Sequence, residues 1–240
     1  FNLGKTKTPQ RIGDIMVMQC TYNSGKLKHY PRQPQWTDLE WQIRNWTYFT
    51  WGSGDMIVEQ HIHSIDKAAW VMRDTYPVKA TASGGRQVRT GPEFGHIYDH
   101  FNTVYEFANG AKCFSACRQI MGCENDVSDH FFGTKGKCDV FKHQITGENA
   151  WKHAGPENNM YQTEHDELFA SIRGGKPINN GDYMARSTMM AIMGRMAAYT
   201  GKSITWDMAF NSKEDLTPPS YAFGTLAVPP VPMPGVTKFS

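Results

Sequence analysis

The sequence lacks any apolar run of about eighteen residues, so it offers no membrane-spanning helix, and no signal peptide is visible. It also lacks an excess of charge of either sign. Lys and Arg number 25 against 23 Asp and Glu, a formal +2. That balance argues against a nucleic-acid partner or a polybasic membrane binder, both of which need a concentrated positive surface. Cysteine is sparse: Cys20, Cys113, Cys117, Cys123 and Cys138 make an odd number with no C-x-x-C pair. This fits neither a disulfide framework nor a common zinc site. Cys113 and Cys117 read as sharing one face of a strand, about 13 Å apart, and all five read as reduced small hydrophobes. There is no internal repeat and no obvious linker. A sequence of 240 residues, 40% hydrophobic and 20% charged, is large enough to bury a core and too apolar for wholesale disorder.

What is present reads as one α+β domain spanning 1–240, an open, mainly antiparallel β-sheet with helices packed on one face. Residues 12–22 alternate with apolar groups on both sides, the pattern of an interior strand covered on both faces. Trp36, Trp41, Trp46 and Trp51 follow in a stretch without a clean period. They read as pins holding an irregular segment to the body, with a sugar-stacking surface as the alternative. From Gly54 to Arg73, Val58, Ile62, Ile65, Ala69 and Met72 recur every three or four residues, which predicts one helix. Pro77 closes it. Strands are expected over 78–83 and 98–107. Asn109-Gly110 makes a hairpin into 112–114, and Gly133-Thr134-Lys135-Gly136 turns 129–132 into 138–141. The last third predicts a helix from Met160 to Arg173 and a second, N-capped by Asp182, that ends at Thr200 with Gly201 after it. The latter is apolar nearly all round at 189–194 and so is expected to be buried. Thr205 is expected to cap a short helix over 206–210. Residues 217–240 form a proline-rich, extended tail. Residues 1–12, with Lys5, Lys7 and Arg11, read as a remnant or linker.

The predicted helix 54–73 carries a polar stripe beside its apolar one. Glu59, His63 and Asp66 are spaced to share a face, and an imidazole between two acids can move a proton on or off a substrate hydroxyl. The competing reading is a polar flank of intrahelical pairs. His61 adds H-x-H, which raises a metal site on Glu59, His61 and His63. That reading is disfavoured, because a helix turns positions 61 and 63 about 200° apart. Arg86 and Arg89 after Gly84-Gly85, then His96 and His100, form a second polar cluster suited to an anionic or polyol ligand. The plain alternative is a loop with surface arginines. Gly84-Gly85-Arg86 has neither the dinucleotide nor the P-loop pattern. Arg118 is a further candidate for the same cleft.

Taken together these residues resemble the glucose–fructose oxidoreductase / inositol dehydrogenase (Gfo/Idh/MocA) family, bacterial branch. Gly54 through Glu59, His61, His63 and Asp66 looks like its D-x-G-x-H-x-x-D signature, and the likeness extends over 84–89, 171–177 and 193–202. The resemblance implies the fold of that family's C-terminal domain, with no Rossmann domain in this chain. It implies a substrate-binding and assembly domain of an NAD(P)-dependent sugar or polyol oxidoreductase. His63 would then be the acid/base, Glu59 the substrate-binding carboxylate and Asp66 its support, with His61, Arg86, Arg89, His96, His100 and Arg118 lining the cleft. NAD or NADP would serve an intact enzyme, and none is expected on this chain alone, since neither G-x-G-x-x-G nor the family's E-K-P lysine segment is found. A sugar or polyol is the implied small-molecule partner, and a homo-oligomer through the open sheet face the implied assembly. Glu in place of Asp and His61 in place of the usual Gly reshape the pocket. A non-redox carbohydrate-binding or scaffolding module, or a sugar lyase or hydratase, therefore remains as an alternative. The start at Phe1 is expected to mark where a cofactor domain ends, and the compartment is left open between cytoplasm and bacterial periplasm.

Overall fold

A computed structural model of the chain describes residues 11–25 and 27–240. Lys5 and Lys7 lie outside them. Ile12 is fully buried, so at least this part of the expected linker belongs to the core.

Nine strands form one sheet: β1 (Ile15–Ser24), β2 (Lys79–Gly85), β3 (His100–Glu106), β4 (Lys112–Gln119), β5 (Asp126–Gly133), β6 (Gly136–Asp139), β7 (Gln144–Gly147), β8 (Trp151–Lys152) and β9 (Ile204–Thr205). Their order is β8-β7-β6-β5-β1-β4-β3-β2-β9. β1 is interior as expected, parallel to β4 and antiparallel to β5. The other ladders among the described residues are antiparallel. The Asn109-Gly110 turn closes the β3–β4 hairpin: Gly110 takes φ 87°, and Asn109 Oδ1 accepts from the Ala111 N–H at 3.1 Å.

Strand alternation gives the sheet one buried face and one open one. Met18, Cys20, Tyr105, Cys113, Cys117 and Phe131 face the helices and are buried. Phe114 and Phe132 lie on the other face and remain exposed. The expectation of a strand covered on both faces is corrected here. Met16 and Gln19 of β1 are exposed: among the described residues, the helix packed against β1 is α4, on the opposite side. Of the cysteines, which are all free, Cys123 is exposed and the other four are buried.

The helices are α1 (Asp38–Arg44), α2 (Thr50–Ser53), α3 (Met56–Glu59), α4 (Ile62–Val71), α5 (Met160–Arg173), α6 (Gly181–Thr200) and α7 (Trp206–Phe210). Thr37 and Thr205 cap α1 and α7 through their hydroxyls. Asp182 is not the cap of α6. Asn180 holds that place, and Asp182 instead pairs with Arg186 one turn on, at 3.1 Å. Trp41 belongs to a small core with Tyr48, Phe49 and Ile97, against which Trp36 and Trp51 pack; Trp46 faces solvent. The tail lacks helix and strand and lies along α1 and the end of α6. Leu39 N–H donates to Gly224 O at 3.2 Å, and Gly235 N–H to Thr200 O at 3.0 Å.

The C-terminal half of α6 is buried almost all round and crosses β2 and β3 at close range. Gly194 permits that approach: a Cβ there would overlap the Tyr105 hydroxyl and lie 2.9 Å from Ile57 Cδ1. Gly194→Ala is expected to cost about 1–3 kcal/mol through overpacking, read as a lower urea midpoint. An unchanged midpoint would show that α6 does not press on the sheet at this point.

Candidate functional site

The predicted single helix 54–73 is two helices, and the break is where the chemistry lies. Gly54 and Asp55 both adopt positive φ, 69° and 74°. For aspartate this conformation is strained and must be held by its surroundings. Asp55 is fully buried. Its Oδ1 accepts from Met56 N–H at 2.5 Å, and its Oδ2 from Tyr98 N–H at 2.9 Å and from the Tyr199 hydroxyl. Burial raises its pKa to about 6 despite these bonds.

After one turn the helix widens. Gln60 and His61 both donate to Met56 O at 3.0 Å, and the next bonds run to Gln60 O and His61 O. Two side chains pull this turn toward the sheet. Gln60 Oε1 accepts from Gln119 Nε2 at 2.6 Å and from Ser24 Oγ at 3.3 Å, while His61 Nε2 meets Ser115 Oγ at 2.7 Å. Widened turns of this kind recur at functional sites because they re-aim side chains. Here His61 turns into the core and is fully buried, while His63 is exposed.

Glu59 ends α3, half-buried, with Oε2 lacking a partner; burial raises its pKa and the Arg89 guanidinium opposes that. Asp66 lies one turn after His63 and accepts a hydrogen bond from the Tyr183 hydroxyl. Burial raises its pKa, and this bond offsets part of the effect. His63 is thus exposed one turn before half-buried Asp66, and Glu59 lies across the widened turn, at the end of the preceding helix. Glu59, His61 and His63 do not converge as the metal alternative requires. Among the described residues no three His, Cys, Asp or Glu side chains do.

The second cluster is used mostly within the protein. Asp99 Oδ2 accepts the N–H groups of Gln87, Val88 and Arg89 at 2.7, 2.7 and 3.0 Å. Burial would raise its pKa, but these bonds and His100 outweigh it and hold it low. Arg89 is buried, donating to Tyr98 O at 3.1 Å and to Gln119 Oε1. His96 is buried against the Thr50 hydroxyl. Arg86 donates to Gly95 O and Gly91 O at 3.0 and 3.3 Å, closing its own loop. The expected cleft containing all of them is corrected for two residues. His100 and Arg118 are register partners on the open face of the sheet, opposite the face on which Glu59 and His61 pack. Alternation along β3 and β4 turns Phe101 and Cys117 inward and these two outward.

Asp55, Gln60, Asp99, Gln119 and Tyr183 escaped the sequence reading. An acid beside glycine (Asp55) and an acid between aromatics (Asp99) were faint signals. The glutamines and Tyr183 gave none, because their partners are distant in sequence.

The GFO/IDH/MocA C-terminal-domain profile matches residues 8–139. The chain belongs to this family. Among solved structures, this Gfo/Idh/MocA domain is similar to aldose-aldose oxidoreductase from Caulobacter crescentus complexed with glycerol. The TM-score is 0.65 at 18% identity, covering 85% of this chain and 59% of that one. Levoglucosan dehydrogenase in complex with NADH and levoglucosan gives a TM-score of 0.58 at 17% identity, over 85% of this chain and 62% of the other. GenD2 from gentamicin A biosynthesis, in complex with NAD, gives 0.58 at 13%, over 82% and 57%. At such identities the likeness establishes the fold. The chain thus spans about three-fifths of the length of these structures. No curated protein matches it by sequence. Among the described residues, β1 leads into an irregular segment rather than a glycine-rich turn and helix, which is not the Rossmann pattern.

The buried rings carry a pH signature. Burial holds His61 at about 3 and His96 at about 4. In the unfolded chain both protonate near 6.5, so their contribution is present above that pH and is lost as pH falls. Asp55, held at about 6, has the opposite slope between its unfolded 3.8 and 6. Protonation of the two rings in the unfolded chain therefore weakens the fold as pH falls below 6.5, while the raised carboxyls of Asp55, Glu59 and Asp66 act in the opposite direction. In urea titrations at stepped pH, His61→Gln is expected to make stability fall less steeply below pH 6.5 than it does in the wild type. An unchanged slope would mean His61 is not buried neutral.

Proposed function

We propose that this chain is the substrate-binding and assembly domain of an NAD(P)-dependent sugar or polyol oxidoreductase. The observation that carries the reading is the widened turn at Gln60–His61. It fixes one histidine in the core and leaves the other, His63, exposed one turn before Asp66. His63 is the proton carrier: it takes a proton from, or returns one to, a sugar hydroxyl. Glu59, half-buried at the end of α3, is the carboxylate that orients the sugar through its hydroxyls. Asp66, one helical turn on, is the neighbouring acid that supports His63. Arg86 is the remaining candidate of the second cluster nearest to solvent, while Arg89 and His96 shape the loop from beneath. The nicotinamide belongs to another part of an intact enzyme. The solved relatives bound to NAD, NADH, glycerol and levoglucosan support the substrate and cofactor classes. In the intact enzyme, His63→Ala is expected to lower kcat by about 10²–10⁴-fold with the melting temperature unchanged. Near-wild-type turnover would overturn the assignment.

Assembly is read from the open face. Phe114 and Phe132 are 44% and 37% exposed, and Val17 and Val104 lie on the same side. Exposed apolar side chains on an open sheet face that also carries His100, Lys112 and Arg118 suit a protein-interaction surface, and a second copy of the chain satisfies it face to face. Light scattering is expected to give an oligomer for the wild type and a monomer for Phe114→Glu. A monomeric wild type at micromolar concentration would reject this.

A further inference from the structure

Tyr183 opens α6 and belongs to none of the motifs read from the sequence. Its hydroxyl donates to Asp66 Oδ1, so the first turn of one helix is bonded to the middle of another, 117 residues away in the chain. Asp66 follows His63 by one helical turn, and the two interact electrostatically. The Ser187 hydroxyl, one turn on along α6, also bonds the carboxylate, so the start of α6 grips Asp66 at two points, of which Tyr183 is the stronger. Held by a phenol from a second helix the carboxylate keeps one orientation, as outer partners do for the first ligands of a site.

We propose that Tyr183 is a positioning residue of this site: its hydroxyl holds the Asp66 carboxylate beside His63, and the imidazole senses the acid through that placement. The functional meaning rests on His63 being the proton carrier, but the coupling is measurable without any turnover.

The other charged and titratable groups around Asp66 do not supply the same hold. Arg186 of α6 is engaged by Asp182 at 3.1 Å and lies over the Tyr76 ring, 6.0 Å from its centroid. Asp74, after α4, is a like charge and works against the Asp66 carboxylate. Tyr183 stays a protonated donor, because burial and Asp66 both push its pKa upward.

The test is an NMR titration of the His63 ring in the full chain, for the wild type, Tyr183→Phe, Asp66→Asn and the double variant. Asp66→Asn removes the neighbouring negative charge and is expected to lower the His63 midpoint. Tyr183→Phe should give at least half of that shift, and the double variant no more than Asp66→Asn alone. Such non-additivity marks two groups acting through one path. A Tyr183→Phe midpoint equal to wild type, a further shift in the Asp66→Asn background, or no shift from Asp66→Asn would each overturn the proposal. If Tyr183→Phe does not fold, 3-fluorotyrosine labelling replaces it. The stronger phenol donor must raise the midpoint in the wild type and leave it in Asp66→Asn, and any other result overturns the coupling. Loss of turnover in His63→Ala is a separate measurement, so failure of the coupling and failure of the proton-carrier reading remain distinct.

Discussion

The buried carboxylate of Asp55 is the constraint on which the site depends. It sits at positive φ, caps α3 through Met56 N–H, receives the backbone N–H of Tyr98 just ahead of β3, and takes the hydroxyl of Tyr199 from the end of α6. One side chain thus joins the helix that ends in Glu59, the strand hairpin beneath it and the helix that covers both. A buried acid is unfavourable unless its lone pairs are satisfied, and here three donors from three elements satisfy them. A change in any one of the three elements therefore reaches the Glu59–His63 turn through this group.

A second polar chain runs beside it. Asp99 organises the 87–89 backbone, Arg89 bridges Tyr98 O and Gln119, and Gln119 reaches Gln60 in the widened turn. The arginines of the 84–100 segment therefore matter more as ties between loop and turn than as an open anion pocket. The same low-dielectric setting that makes each unpaired group costly makes a satisfied network rigid. Rigidity at the turn is what a proton carrier needs, since transfer depends on geometry before it depends on pKa.

The helical and sheet periods were legible in the chain because they are local. The Asn109-Gly110 hairpin, the capped helix 206–210 and the buried centre of α6 follow from neighbours a few residues apart. Glu59, His63 and Asp66 were legible for the same reason, although a uniform helix overstated how continuous their face is. The break at Gln60 depends on Ser24, Ser115 and Gln119, all on strands, and no short window contains it. The grouping of His100 and Arg118 with His96 and Arg89 failed because closeness in sequence says nothing about which side of a sheet alternate residues occupy.

By itself the sequence determined an α+β chain of alternating strands and amphipathic helices, and an acid–imidazole–acid spacing that marks the family. Only the tertiary structure decided which histidine is presented and which is buried, which sheet face is left open, and which carboxylate is held by Tyr183. The reason is physical: propensity and periodicity act over a few residues. The direction of a polar side chain in a half-buried turn is set by whichever distant donors and acceptors the packing brings within hydrogen-bond range.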